Sequence, residues 1–166
     1  MLMPERLEAH LAQNHIAHRL VVHGPAHSAQ VAASFMHIPG KEVAKSVALC
    51  ASGRPLLAIL PASYHINLEK LSAAVGDKVQ LMEEQKCNEL FPDCEPGAIA
   101  PFGELYNVPV YMDQTLAEDP EIVFSAGSAC ESVRLGNVDF VHLVKPQVCS
   151  FAEKNLDAFK HRSGHS

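Results

Sequence analysis

Three segments of the chain combine residue types that could do chemistry. Lys45 opens an apolar run, Lys45-Ser46-Val47-Ala48-Leu49-Cys50, directly after the Lys41-Glu42-Val43-Ala44 turn. A lysine at a strand mouth sets a mobile cation at the edge of a sheet, where it can meet a phosphate or a carboxylate. A solvated strand end is the competing reading. Gly97-Ala98-Ile99-Ala100-Pro101-Phe102-Gly103 holds two glycines and a proline in seven residues and no charge. Glycine allows positive φ and proline fixes φ, so this is a stiff, shaped loop. Its backbone N–H groups and an apolar wall can face a ligand, or it can simply connect two elements. Phe124-Ser125-Ala126-Gly127-Ser128-Ala129-Cys130-Glu131 places small residues after a buried strand. That composition permits close approach to backbone, and it also suits a bulge.

Other candidates are weaker. Ten histidines are many for 166 residues. His15 and His18, and His23 and His27, have spacings that metal-binding pairs use on helices. Gly24-Pro25 interrupts the second pair, and no acidic or cysteine partner stands at recognisable spacing, so surface and capping roles fit better. The five cysteines, Cys50, Cys87, Cys94, Cys130 and Cys149, include no Cys-x-x-Cys pair. They read as small half-buried thiols rather than a zinc site or a disulfide framework. Gly-x-Ser-x-Gly, phosphate-loop and His-Glu-x-x-His motifs are absent, which removes the common hydrolase, nucleotide and zinc-protease readings.

Elements must position these groups. Leu7 and Leu11 mark an amphipathic helix over Pro4 to Asn14, and His18 to His23 reads as a strand. Ser28 caps a helix over Ala29 to His37, with Val31, Ala32 and Phe35 expected inward. Lys45 to Ala51 and Pro55 to Leu60 form a hairpin about Ser52-Gly53-Arg54. Asn67 caps a helix to about Val75, followed by a strand over Lys78 to Leu81 and a helix over Glu83 to Leu90. Strands are expected at Pro109 to Met112, Glu121 to Ala126, Glu131 to Leu135 and Val148 to Phe151, with a helix at Val138 to Val144. This mixture predicts an α+β (mixed α/β) single domain. Its sheet is mixed, largely antiparallel and barrel-like, flanked by helices. The domain is expected to span residues 1–153, with a polar tail over 154–166 whose last residues, Arg162 to Ser166, are mobile.

The net charge of −6 and pI near 5.9 argue against a broad nucleic-acid surface, but not against a pocket gripping only the tip of one. No apolar run can span a bilayer, and Met1 to Gln13 lacks the pattern of a signal peptide, so a cytoplasmic location is expected.

The three segments, in this order, resemble the YbaK/ProX family, the aminoacyl-tRNA deacylase domain also inserted in bacterial prolyl-tRNA synthetases. The resemblance rests on Lys45 within Val43-Ala44-Lys45-Ser46-Val47, on Gly97 to Pro101 extended by Phe102-Gly103, and on Phe124-Ser125-Ala126-Gly127-Ser128 followed by Glu131-Ser132-Val133-Arg134-Leu135. The stretch Asp139-Phe140 to Lys145-Pro146 is similar to the family's ending, and the likeness runs from about His27 to Phe151. It implies editing in trans: hydrolysis of the ester joining a wrong amino acid to the 3′ end of tRNA. Lys45 is then the catalytic lysine, holding the substrate near its terminal adenosine or phosphate. Ser46, Gly97, Ile99, Pro101, Phe102, Gly127, Ser128 and Cys130 are the implied substrate contacts, with Ile99 or Phe102 limiting which side chain fits. Water or a group on the substrate attacks. No metal, cofactor, membrane or DNA is implied; the partners are aminoacyl-tRNA and, beyond it, a synthetase. Many single-domain relatives carry histidine just after Gly-Ser, where this chain has Ala129 and Cys130. That departure leaves open a domain that binds an aminoacyl or nucleotide ligand without turnover.

Overall fold

The structure, a computed structural model, describes residues 2–155. Helix α1 (Glu5–Gln13) buries Leu7 and Leu11, and β1 (His18–Val22) follows. Helix α2 (Ala29–Met36) starts at Ser28, whose hydroxyl accepts from Val31 N. Strands β2 (Val43–Ala51) and β3 (Arg54–Pro61) form the expected hairpin. Next come β4 (Tyr64–Ile66), α3 (Leu68–Val75) capped by Asn67, β5 (Val79–Leu81) and α4 (Glu84–Leu90). The second half holds β6 (Val110–Asp113), the single turn α5 (Gln114–Ala117), β7 (Glu121–Ser128) and β8 (Glu131–Gly136). It ends with α6 (Asn137–Val144), β9 (Gln147–Cys149) and β10 (Ala152–Lys154).

The main sheet is mixed, as the alternation of elements predicts. Its order is β1-β8-β7-β2-β3-β6-β9, with β5 also paired to β2, while β10 and β4 make a separate pair. The hairpin β2/β3 and the pairs β1/β8, β7/β8 and β2/β5 are antiparallel; β2/β7, β3/β6 and β6/β9 are parallel. Alternation along β2 and β3 splits their side chains between two cores. Ala44, Ala48, Leu57 and Ile59 join Phe102, Phe124 and Phe140 on one face, while Leu49, Leu56, Leu60, Leu71 and Phe151 fill the other. Phe102 meets Phe124 and Phe140 edge-on, with ring centroids 5.4 and 5.5 Å away.

Three expectations change. The strand starts at Val43, not Lys45, because Val43 and Ala44 pair with Val123 and Phe124 of β7. Lys45 therefore sits inside a central strand rather than at its mouth. Val31 and Phe35 of α2 are 43% and 47% exposed, and the buried stripe is Ala29, Ala32 and Ala33. Small residues let the helix lie close on β2 and β7, and Phe35 instead stacks on the His23 ring at 6.0 Å. Lys154 belongs to β10, opposite Tyr64, so ordered pairing reaches one residue past the expected boundary of 153. Arg162 to Ser166, expected to be mobile, lie outside the described residues.

Asp113 ties the end of the chain to the sheet. Its buried carboxylate accepts from Thr115 N and Oγ1 through one oxygen, and from Phe151 N and Ala152 N, at 2.9 and 2.8 Å, through the other. Removing it strands buried donors that have no water to turn to. Asp113→Ala is expected to cost about 3 kcal/mol of stability, read as a lower urea midpoint at unchanged slope.

Candidate active site

The site begins with a fork in the sheet. One edge of β2 is shared by two partners: β7 pairs with Val43 and Ala44, and β5 pairs with Leu49 to Ala51. Neither ladder covers the stretch from Lys45 to Ala48. The carbonyl of Val43 accepts from Ala62 N on the β3 side, and that of Ala48 accepts from Met82 N on the other. Main-chain groups alternate in direction along a strand, so the N–H and C=O of Ser46 point into the uncovered interval. Open strand edges attract pairing partners, and here the opening is roofed by α4 and by the 94–99 loop.

Between these parts lies a cavity of about 360 Å³, within the usual range for small-molecule sites. Ser46, Val47 and Ala48 line one side. Cys94, Glu95, Pro96, Gly97 and Ile99 line another, and Met82 with Glu84, Cys87, Asn88 and Phe91 the third. The α4 residues recur at i, i+3, i+4 and i+7, one face of a helix.

The 94–99 loop is held in place by backbone contacts. Gly97 has φ +77°, and a Cβ there would lie 2.1 Å from the carbonyl oxygen of His27. Only glycine permits both that conformation and that approach. Glu95 docks the loop on the late glycine segment: its N–H donates to Gly127 O at 2.8 Å, and its carboxylate accepts from Ala129 N at 2.8 Å. The bond from Ala129 N–H holds the Glu95 carboxyl below its usual value. Gly127, at φ +81°, sits where the β7/β8 register shifts, against Pro4 and Cys94 Sγ.

The expected residues thus divide. Ser46, Gly97 and Ile99 line the cavity together. Lys45 is adjacent on β2 but does not line the cavity, and alternation puts its side chain on the face of Val47 and Leu49, opposite Ser46 and Ala48. It is half-buried, and burial holds its ammonium below the ordinary lysine value. Among the described residues no carboxylate lies within ion-pair distance of it. Pro101 and Phe102 are buried, and Phe102 faces the aromatic core rather than the cavity. Phe102, implied as a substrate contact by the family resemblance, anchors the loop in that core. Gly127 and Ser128 lie one layer behind the cavity wall. Cys130 does not line the cavity either; it is bonded through its N–H to Ser128 Oγ and through its carbonyl to His23 N. His23 is a structural group: Nδ1–H donates to Gly24 O, so Nε2 accepts from Ser132 Oγ, each at 2.8 Å.

Sequence reasoning missed Glu95, Cys94 and the cavity face of α4. Glu95 carried one hint, an acid two residues before the loop glycine. The α4 face carried none, since its polar and sulfur-bearing residues read as an ordinary exposed helix. Burial raises the Cys87 and Cys94 thiols above their usual value, so both stay protonated at neutral pH.

The chain matches the model of the aminoacyl-tRNA editing domain over residues 23–143. It is 28% identical over 153 residues to the multifunctional Ser/Thr-tRNA deacylase ProXp-y of Escherichia coli strain K12, covering 89% of this chain and 91% of that one. Two solved structures share the fold. A hypothetical protein, APE2540, superposes with a TM-score of 0.82 at 17% identity, covering 90% of this chain and all of that one. A protein provisionally described as a trans-editing enzyme for prolyl tRNA synthetase gives 0.78 at 20% identity, covering 92% and 99%. The fork in the sheet and the glycine-shaped loop fall inside the matched span. The chain belongs to the aminoacyl-tRNA editing domain family and is an aminoacyl-tRNA deacylase.

Proposed function

We propose that deacylation takes place in the cavity at the open edge of β2, on mischarged tRNA in the cytoplasm, with Lys45, Ser46, Gly97 and Ile99 as its contacts. The observation that carries this is the Ser46 main chain aimed into an otherwise roofed cavity. An ester is an activated bond, so positioning and stabilisation of the oxyanion suffice for hydrolysis. The Ser46 N–H is the donor for that oxyanion. Lys45 draws the anionic end of the tRNA to the opening. A water molecule attacks the carbonyl carbon and the carbonyl π pair moves to oxygen; as the adduct collapses the bond to the ribose oxygen breaks, the proton given up by the water passes to that oxygen, and the ribose hydroxyl and the free amino acid leave. Gly127, Ser128, Pro101 and Phe102 act through the loop they hold.

The residues around the cavity suit small side chains: Ala48, Met82, Phe91 and Ile99 give apolar walls, and Ser46 and Asn88 give polar contacts. The ProXp-y relative acts, by its name, on Ser- and Thr-tRNA. We place serine and threonine esters among the substrates here. Docking on the synthetase that made the error is a further expectation, which co-purification of the two would check.

The test is hydrolysis across a panel of aminoacylated tRNAs. Release of amino acid from one or a few mischarged species supports the reading; binding without turnover would favour a ligand-recognition domain. The Cys87 thiol, held protonated by burial, and Cys130, which does not line the cavity, yield a separate prediction. Cys87→Ala and Cys130→Ala are expected to keep kcat/KM within about threefold of wild type, under about 1 kcal/mol of barrier. A covalent thiol mechanism would abolish turnover in one of them.

A further inference from the structure

A second cavity of about 300 Å³ lies on the other side of α4. Cys50, Gly53, Pro55, Met82, Lys86, Glu89 and Leu90 line it, and Met82 lines the first cavity too. Both cavities also share a floor. Ser46 and Ala48 lie under the first and Cys50 under the second, and alternation puts all three on one face of β2. At about 3.3 Å per residue, Cys50 stands about 6.6 Å beyond Ala48, comparable to the width of a sugar ring. Cys50 is held in register between Gln80 of β5 and Pro55 of β3, so this floor is rigid.

We infer that the second cavity is the subsite for the terminal adenine of the tRNA. The inference rests on the reading that the first cavity takes the aminoacyl ester. Every tRNA ends in adenosine, and its ribose joins the ester to the base. A ligand with its ester in the first cavity and its ribose beneath Met82 therefore sets its base in the second. The walls fit. Pro55, Met82 and Leu90 offer apolar surface to the two faces of a flat ring, in a single-strand recognition mode that stacks bases on side chains. Glu89 is an acceptor for the exocyclic amine, and Lys86 is a cation for the 5′ phosphate.

The probe is adenosine 5′-monophosphate, titrated into the whole chain and followed by amide NMR. The expected result is shifts at Cys50, Met82, Lys86 and Leu90. Leu90→Trp, which fills the cavity, is expected to weaken that binding about tenfold or more. Lys86→Glu, an exposed change that leaves the core alone, is expected to weaken it about fivefold. On aminoacyl-tRNA both variants should raise KM with kcat held, while hydrolysis of a seryl ethyl ester, which has no base, should match wild type. Shifts confined to other surfaces, or unchanged binding in both variants, would overturn the inference. The deacylase reading fails separately, if wild type hydrolyses no aminoacyl-tRNA; the nucleotide titration decides the subsite in either case.

Discussion

Lys45→Ala is expected to lower kcat/KM for aminoacyl-tRNA hydrolysis by about 10²–10³-fold, the size of effect seen when one pre-organised electrostatic group is removed from an active site. The fold should survive, because Lys45 contributes no ion pair among the described residues and alanine suits a strand lined by Val43, Ala44 and Ala48. Stability and turnover should therefore separate: an unfolding curve close to wild type, with activity nearly gone. The pH profile supplies a second signature. Burial lowers the Lys45 pKa, so the ammonium gives up its proton before an ordinary lysine would as pH rises. Activity that needs the charge is lost on the alkaline side, below the range of a free lysine. Lys45→Arg keeps its charge through that range and should lack this alkaline fall, even with a lower maximum. The linked stability has the opposite sense. The unfolded chain binds the proton more tightly, so stability from this group rises with pH from the folded-state value up to the unfolded one, and is level on either side.

Gly97→Ala is expected to damage both activity and stability, and it is the sharper test of the loop. The left-handed conformation at φ +77° costs a non-glycine residue about 1–2 kcal/mol. The added methyl also meets the His27 carbonyl oxygen at 2.1 Å and its carbon at 3.0 Å. Those are backbone atoms at the entry to α2, so no flexible side chain can move aside. The loop must shift instead, carrying Ile99 and the cavity wall with it. A displacement of this kind is expected to reduce kcat/KM by about 10²-fold. It should also destabilise the chain by about 3 kcal/mol in all, read by thermal unfolding. Gly76→Ala is the control. Gly76 has φ +85°, but nothing lies within 4 Å of the added methyl. It should bear the conformational cost alone and turn over substrate at the wild-type rate.

Local sequence made the elements legible wherever the signal was local. Ser28 and Asn67 cap the helices they were expected to cap, with oxygens accepting from Val31 N and Lys70 N. The β2/β3 hairpin follows from two apolar runs about Ser52-Gly53. The fork in the sheet was not legible, because it depends on β5 and β7 choosing the same edge of β2 from 28 or more positions along the chain. The burial of Lys45 has the same origin. Val31 and Phe35 misled because hydrophobicity was read as an inward direction, whereas the size of the space between helix and sheet selected alanine. Gly97 was recognised by its type, but its reason, the carbonyl of His27 behind it, comes from a residue far away in sequence. Of the motif-bearing residues, Ser46, Gly97 and Ile99 line the cavity and Lys45, Phe102, Gly127 and Cys130 do not, while Glu95 and the inner face of α4 carry no motif. Those join the cavity through tertiary placement alone.

The most direct test of the central claim is to locate the ester. A non-hydrolysable 3′-seryl-amido adenosine 5′-monophosphate, titrated into the protein and followed by amide NMR, should shift Ser46 most strongly, with Val47, Gly97 and Ile99 beside it. Lys45→Ala should weaken the same pattern without moving it. Shifts centred elsewhere, for example around His18, Arg19 and Arg134 on the β1/β8 surface, with Ser46 and Gly97 silent, would contradict the account.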